Sequence, residues 1–349
     1  MLSLYEASYF SFEGESLLDE GLAFSTIYLK NLSGANVTKG LAEQAYSKRP
    51  DANQVLLEIA KRDFNKVQCT LQRDLKEVSR WWVDMGLAKK LSFIRDRLME
   101  CFFWSVGIVS EPQQRHVRKG LTKVAALFLM AFHYVLMLLR WDIKAVENLP
   151  DYMKLCFLAL YNTVNEMWAD LCKAFLKETT WRYNKQIPTF EEYIDTAWIS
   201  VSGVVFLLHT YFLLTPKITK QALECLENHH NLLRWPSLIF RLCNDLSTFE
   251  AEVQRGETAN SISCMTRGSM NVSEEFAREY ISNMVQNSWK KLNKDGASGS
   301  PFTEKFVQAA RNLARISQCV YQYGDWHGAP DTRAKNRILS VIIDPIKGP

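Results

Sequence analysis

The sequence predicts an all-α fold: a helical bundle around an apolar cavity, preceded by a smaller helical N-terminal part. Apolar residues recur at helical spacing along most of the chain, and no segment of note has the two-residue alternation of a strand. Capping residues and polar breaks separate the helical segments. With 349 residues, 47% of them hydrophobic, the chain can bury the core of one large domain and a smaller one.

Composition argues against several classes of protein. The net charge is +4 without a basic tract, so no nucleic-acid partner is expected. The 8 Cys are scattered without a C-x-x-C pair, which is typical of reduced core residues in an intracellular protein. The 10 Trp, 19 Phe and 13 Tyr suit a large apolar cavity and equally a large core.

The N-terminal part, residues 1–60, is predicted as helix, turn, helix. Residues 12–18 open the first helix, residues 31–40 form a polar break, and residues 51–54 cap an apolar-periodic segment. We assign residues 61–349 to the main domain.

Residues 124–139 form an apolar run without a charge. The run is shorter than the ~20 residues that a bilayer core requires, so a buried core helix is preferred and no stable membrane span is expected. His133, near its middle, is expected in the core or on a pocket wall. It is not expected to bind Mg²⁺, because imidazole suits Zn²⁺ better.

The next helix is predicted to start within residues 188–193, where acidic residues occupy the first turn. Trp198 lies on this helix, and Ser202 and Gly203 follow in an apolar stretch. Because glycine in a helix costs ~1 kcal/mol against alanine, the Ser-x-Ser-Gly sequence predicts a kink. A packing contact between small residues is the alternative.

Three oxygen-bearing side chains recur at i, i+4 and i+8 in the segment 241–257. On a helix, Asn244, Thr248 and Glu252 lie on one face over two turns, and such a hard oxygen set suits Mg²⁺. Arg241 projects near the same face and could hold an anion that the metal also touches. The alternative is a polar stripe on a solvated helix.

Beyond this segment, residues 256–272 are rich in Ser, Thr and Gly and predict a mobile loop. Long helices are predicted for residues 273–294 and 302–323, separated by a break at 296–300. Residues 324–330 are predicted as a lid-like loop.

The segment 241–257 resembles the second metal-binding motif of class I terpene synthases, (N/D)D-x-x-(S/T)-x-x-x-E followed by R-G-(D/E). The resemblance implies that Asn244, Thr248 and Glu252 bind one Mg²⁺, with Mn²⁺ as an alternative. Arg95 and Arg97 match the family's R-x-R pair, which helps to take up the departing diphosphate. Local ion pairs on a surface helix are the alternative for this arginine pair.

The resemblance extends to the pocket. Trp104 matches the aromatic residue at the pocket floor, with an ordinary core Trp as the alternative. The kinked helix with Trp198, Ser202 and Gly203 matches the family's active-site wall, and Tyr321 and Asp325 match residues near the closing lid.

The chain departs from the family at its aspartate-rich motif, D-D-x-x-D. A lead-in similar to the family's is present at residues 122–127, yet no aspartate occurs between Asp96 and Asp142. The sequence looks as if a segment with this motif was lost and its flanks joined. Residues 1–8 resemble an interior piece of the family's N-terminal helical domain, so that domain is expected to be truncated.

The implied activity is that of a monoterpene synthase, in which Mg²⁺ promotes ionisation of geranyl diphosphate to a carbocation. Loss of the aspartate-rich motif is expected to impair it. A non-catalytic prenyl-diphosphate binder and a structural helical scaffold are the alternatives. A monomer is expected, and the family implies a plastid location, whereas the chain as written shows no transit peptide and would be cytoplasmic.

Overall fold

A computed structural model describes residues 7–32, 52–86, 96–131, 151–256, 259–268, 270–297, 299–322, 324 and 332–346. These residues form helices and no strand, so the predicted all-α fold is confirmed. In chain order the helices are α1 (Ser16–Leu32), α2 (Gln54–Met85), α3 (Leu98–Ile108), α4 (Arg115–Ala131), α5 (Asp151–Tyr183), α6 (Phe190–Ser200), α7 (Gly203–Leu214), α8 (Lys220–Glu227), α9 (Asn231–Gln254), α10 (Ser261–Thr266), α11 (Glu274–Ala297), α12 (Glu304–Val320) and α13 (Thr332–Ile338). A π-helical turn, Leu339–Ile343, follows α13.

Two helix starts follow directly from their capping residues. The Asn53 side chain accepts hydrogen bonds from the backbone N–H groups of Val55 and Leu56, and α2 begins there as predicted. Thr189 and Glu192 form a reciprocal capping box at the start of α6. Helix α2 runs unbroken across residue 60, and the division into 1–60 and 61–349 stays a prediction.

Helix α9 lies at the centre of the bundle and packs against α6, α7, α11 and α12. Its side chains Leu233, Ile239 and Leu242 are fully buried. Truncating a buried leucine of this kind to alanine typically costs ~2–5 kcal/mol. The apolar core therefore holds α9 in a defined orientation, and with it the polar residues on the same helix.

A buried ion pair joins α2 to α4. The side chains of Asp74 and Arg118 are both fully inaccessible, and Arg118 Nη2 donates to Asp74 Oδ2 at 2.7 Å. Arg118 Nη1 also donates to the carbonyl of Glu111 at 2.6 Å, so more than one acceptor surrounds the guanidinium. Because the two charges are paired and hydrogen-bonded, they can remain buried in the core.

Amide side chains of α2 bind the C-terminal backbone. Gln68 Nε2 donates to the carbonyls of Ser340 and Val341, both at 3.1 Å. Gln72 Nε2 donates to the carbonyl of Ile342 at 3.0 Å. Helix α2 thereby joins the beginning of the chain to its end.

The predicted kink is a complete helix break, because α6 ends at Ser200 and α7 begins at Gly203.

The segment Phe190–Leu214 is long and apolar enough to cross a membrane, but 67% of its most apolar window is buried inside the protein. Buried core helices of soluble proteins can be equally long and apolar, so the length and composition of this segment are weak evidence for a membrane span. The apolar run continues α4 through Ala131, and its remainder, with His133, lies outside the described residues.

The prediction of a mobile loop at residues 256–272 is wrong for the part described. Residues 261–266 form the short helix α10, and Ile262, Cys264 and Met265 are fully buried. The many Ser and Thr residues suggested a loop, whereas tertiary contacts with α9 bury the apolar residues between them.

Candidate metal-binding site

The three predicted metal ligands share one face of α9. Thr248 and Glu252 are buried, at 3% and 9% exposure, and Asn244 is half-buried. Thr248 Oγ1 lies 2.7 Å from Glu252 Oε1 and 2.9 Å from the carbonyl oxygen of Asn244. A polar stripe on a solvated helix does not describe Thr248 and Glu252, because both are removed from solvent.

Asn260 binds the second carboxylate oxygen of Glu252. Its Nδ2 donates to Glu252 Oε2 at 2.7 Å and lies 3.3 Å from the carbonyl oxygen of Asp245. Both oxygens of the buried carboxylate thus have a donor. The sequence analysis missed Asn260, and the signal that could have found it is the apolar spacing of Ile262 and Met265 within the supposed loop.

A second buried network surrounds Asp245, the neighbour of Asn244. The Tyr193 hydroxyl donates to Asp245 Oδ2 at 2.8 Å, and Arg241 Nε lies 2.9 Å from Asp245 Oδ1. Arg241 Nε also donates to the Tyr193 hydroxyl oxygen at 2.7 Å, and its Nη2 lies 3.7 Å from Glu178. Arg241 therefore lies beside the triad as predicted from spacing, held there by carboxylates of the protein itself.

Negative charge exceeds positive charge in this cluster. The described charged groups that act on one another here are the carboxylates of Glu178, Asp245 and Glu252 and the guanidinium of Arg241. Burial raises the pKa of Glu252, and the nearby Asp245 carboxylate raises it further. A divalent cation would offset this excess of negative charge.

The donor set fits Mg²⁺. A carboxylate, a hydroxyl and an amide oxygen are hard ligands, and the Thr248 hydroxyl hydrogen can turn to the Asn244 carbonyl, which leaves an Oγ1 lone pair and Glu252 Oε1 available. Among the described ranges, no group of three or more His, Cys, Asp or Glu residues could hold a metal ion. The candidate site therefore depends on the amide and hydroxyl oxygens as well as on Glu252.

Trp104 and Tyr321 meet beside the triad helix. The Trp104 ring lies 4.7 Å from that of Phe240 on α9, and Tyr321 lies 6.2 Å from Trp104 and 6.1 Å from Phe240. Phe240 directly precedes Arg241 in the chain. The structure thus brings two predicted site residues together next to the helix of the metal triad.

The residues predicted for the pocket wall make other contacts. Trp198 packs edge-on against His229 at 5.4 Å, and the Arg234 guanidinium lies 5.6 Å from its ring. Ser202 has a left-handed φ of 69°, and Gly203 lies so close to Ser237 of α9 that a Cβ atom would come within 2.5 Å of Ser237 Oγ. These contacts favour the small-residue packing alternative at Gly203.

Arg97 directly precedes α3 and forms an ion pair with Glu100 at 3.0 Å. This contact is the local ion pair that was the alternative for the arginine pair. Arg95 and Asp325 lie outside the described residues.

A cavity of about 1120 Å³ lies between α9, α11, α12 and the N-terminal residues Tyr9 and Phe10. The α9 residues that line it occupy a different face from the triad; they are Cys243, Leu246, Ser247 and Glu250. Among the described members of the predicted site, only Tyr321 lines this cavity. This cavity is therefore not enclosed by the triad.

Comparison with known proteins identifies the family of the chain. The family profile described as terpene synthase family, metal binding domain, matches residues 83–131, 132–167 and 164–291. The chain belongs to the terpene synthase family. The tricyclene synthase of Medicago truncatula is 48% identical over 402 residues, which cover 99% of this chain and 69% of that protein. The isoprene synthase of Populus tremuloides is 44% identical, covering 99% of this chain and 67% of that protein.

Solved structures agree in fold. The crystal structure of isoprene synthase from grey poplar, in complex with three Mg²⁺ ions and dimethylallyl-S-thiolodiphosphate, has a TM-score of 0.79 and 44% identity. The similarity covers 99% of this chain and 76% of that structure. A limonene synthase with 2-fluorolinalyl diphosphate has a TM-score of 0.81 at 32% identity, over 99% of this chain and 74% of that structure.

The comparisons also show an interruption near the apolar run. The family match breaks between residues 131 and 132. The alignment to the Medicago relative extends over 402 residues although this chain has 349, so the relative contains residues without a counterpart here. Both observations agree with the missing aspartates between Asp96 and Asp142.

Proposed function

We propose that this chain catalyses the Mg²⁺-dependent ionisation of a prenyl diphosphate, with geranyl diphosphate as the substrate and a terpene and diphosphate as the products. The observation that carries the proposal is the buried Glu252 carboxylate, aligned with Thr248 and Asn244 in a cluster with excess negative charge. Relatives named as tricyclene, isoprene and myrcene synthases support this class of substrate.

The oxygen atoms of Asn244, Thr248 and Glu252 would hold Mg²⁺, or Mn²⁺ in its place. When bound, the ion supplies positive charge that stabilises the departing diphosphate. Arg241 would add a guanidinium beside it, because Asp245 and Tyr193 fix the position of its side chain.

Arg95 and Arg97 would bind the diphosphate oxygens as the arginine pair of the family motif. For Arg97 this requires exchange of the Glu100 carboxylate for a diphosphate oxygen. Trp104, with Phe240 and Tyr321, would present aromatic faces to the cation, each contact contributing up to ~2 kcal/mol when desolvated. Trp198 and Ser202 would complete the pocket wall, where Gly203 allows close packing against α9, and Asp325 would belong to the lid.

We propose that turnover is slow. The apolar run 124–139 contains no carboxylate that could take the place of the aspartate-rich motif. Each ~1.4 kcal/mol of lost charge stabilisation lowers the rate tenfold, and loss of several kcal/mol lowers it by several powers of ten.

Incubation of the purified chain with geranyl diphosphate and Mg²⁺, followed by gas chromatography of the products, tests this proposal. We expect slow product formation that Glu252→Gln abolishes. Glu250→Gln is the matched control, because Glu250 lies on the same helix with a side chain 84% exposed, and its activity should equal that of wild type. Turnover at an ordinary enzyme rate would refute the impairment, and undiminished turnover in Glu252→Gln would refute the role of the triad.

The acid-free run also favours a second candidate, a prenyl-diphosphate binder without turnover. Such a protein would bind geranyl diphosphate in a Mg²⁺-dependent manner, measured by calorimetry, and would release no product. For a structural scaffold, combined substitution of Asn244, Thr248 and Glu252 would change neither ligand binding nor the ligand-induced thermal shift.

We further propose a plastid location, which the relatives named as chloroplastic support. A monomer without a nucleic-acid partner or a stable membrane span remains our expectation. Light scattering of the purified chain measures the oligomeric state, and a dimer would contradict the expectation.

A further inference from the structure

We propose that Asn260 is a positioning residue that anchors one oxygen of Glu252 and leaves the other for the metal ion. The inference rests on the proposed metal triad and adds a residue from outside the motif. Asn260 is 2% exposed and belongs to the segment before α10.

Both ends of the Asn260 amide are used. Its Oδ1 accepts from the backbone N–H of Ile262 at 2.9 Å and so caps α10. Its Nδ2 donates to Glu252 Oε2 at 2.7 Å and also faces the Asp245 carbonyl at 3.3 Å. Because the cap fixes which end of the amide faces α9, an N–H donor always points at Glu252.

The two oxygens of Glu252 are therefore inequivalent. The donor on Oε2 is an amide N–H, which has no alternative role in the metal triad. The donor on Oε1 is the Thr248 hydroxyl, whose hydrogen has a second acceptor in the Asn244 carbonyl at 2.9 Å. If the metal replaced the donor on Oε1, the Thr248 hydroxyl could still bond to the Asn244 carbonyl. If it replaced the donor on Oε2, a buried N–H of Asn260 would lose its acceptor, which costs free energy. Oε1 is therefore the oxygen that binds the metal.

The same contact joins α10 to the triad helix. Next to Asn260, the backbone N–H of Ser261 donates to Asp245 Oδ2 at 3.1 Å. These bonds hold residues 260–261 against α9 from the side that Glu252 faces. The orientation of the Glu252 carboxylate thus depends on a segment that follows α9 in the chain.

Capping α10 is the structural role of Asn260 that does not involve Glu252. Serine and aspartate are equally good caps, so Asn260→Ser and Asn260→Asp retain that role and remove the amide donor. Asn53, which caps α2, offers matched controls, because Asn53→Ser and Asn53→Asp make the same changes at the cap of a different helix.

The experiment measures Mn²⁺ binding by the electron paramagnetic resonance signal of free Mn²⁺, together with urea unfolding in EDTA. Loss of a hydrogen bond to a metal ligand, from a residue that does not itself bind the metal, typically lowers metal affinity ~10–100-fold. We expect Mn²⁺ binding weaker by this factor in Asn260→Ser. In Asn260→Asp the added negative charge attracts the cation and partly offsets the loss of the amide donor, so its Mn²⁺ affinity should fall less than that of Asn260→Ser. Asn53→Ser and Asn53→Asp should bind as wild type does.

The outcomes separate the two proposals. If wild type and Glu252→Gln bind Mn²⁺ equally, the metal triad itself is wrong. If Glu252→Gln loses binding while Asn260→Ser keeps wild-type affinity, only the role of Asn260 is overturned. Failure of both Asn260 variants to fold would also overturn the proposed role. Serine and aspartate are good caps, so such a failure would show that Asn260 is needed for folding rather than for the metal site.

Discussion

Replacement of Thr248 by valine removes the hydroxyl at the centre of the proposed triad and retains the shape of the side chain. Thr248 is 3% exposed, and its Oγ1 contacts Glu252 Oε1 at 2.7 Å and the Asn244 carbonyl at 2.9 Å. In the valine variant Glu252 Oε1 stays buried and loses the hydrogen bond from the Thr248 hydroxyl, which typically lowers the free energy of unfolding by ~1–3 kcal/mol. The hydrogen bond from Thr248 also lowers the pKa of Glu252, so its loss should raise that pKa further.

The assay is urea unfolding with and without Mn²⁺. A ligand at 100 times its dissociation constant stabilises the folded state by about 2.7 kcal/mol, and we expect this gain for wild type. Thr248→Val should be less stable by ~1–3 kcal/mol in EDTA and should gain little from the same Mn²⁺ concentration, because one ligand is missing.

Thr210→Val provides the control. Thr210 is also fully buried and donates to a backbone carbonyl four residues earlier, that of Phe206, at 2.7 Å. This variant should keep the full stabilisation by Mn²⁺. A Thr248→Val protein that gains as much from Mn²⁺ as wild type would refute the reasoning.

Three further predictions concern the scaffold. Asp74→Asn removes one charge of a fully buried ion pair and leaves Arg118 uncompensated, so urea unfolding should show a loss of ~3–5 kcal/mol; a loss below ~1 kcal/mol would contradict the buried pair. Gly203→Ala places a Cβ 2.5 Å from Ser237 Oγ, and the same measurement should show a loss of ~1–3 kcal/mol that Ser237→Gly partly restores in the double variant. Burial lowers the pKa of His209 below 6.5, so the stability that comes from keeping the imidazole neutral is present above pH 6.5 and is lost as the pH falls. The free energy of unfolding at about pH 7.5 and pH 5.5 should therefore differ less in His209→Gln than in wild type, and an unchanged difference would contradict this.

The parts of the fold that depend on local sequence could be predicted. The caps at Asn53 and Thr189 act within a few residues of the helices that they start. The alignment of Asn244, Thr248 and Glu252 needs only the helical period. Helix class, several boundaries and the common face of the triad therefore followed from the sequence alone.

The contacts that complete the site depend on tertiary structure. Tyr193 reaches Asp245 across 52 residues of sequence, and no local pattern indicates that pairing. Asn260 lies in a polar segment whose composition resembles a loop, and its role appears only when α10 folds back onto α9. The direction of Trp198 follows from packing against His229 and Arg234, which helical periodicity does not determine.

The most direct test of the central claim is an anomalous-scattering map from crystals soaked with Mn²⁺ and a non-hydrolysable geranyl diphosphate analogue. We predict a Mn²⁺ peak about 2.0–2.1 Å, the distance of a Mg²⁺ site, from Glu252 Oε1, Thr248 Oγ1 and Asn244 Oδ1, with Asn260 still bonded to Glu252 Oε2. A diphosphate bound without a peak at these three atoms, or a peak elsewhere in the bundle, would contradict the account.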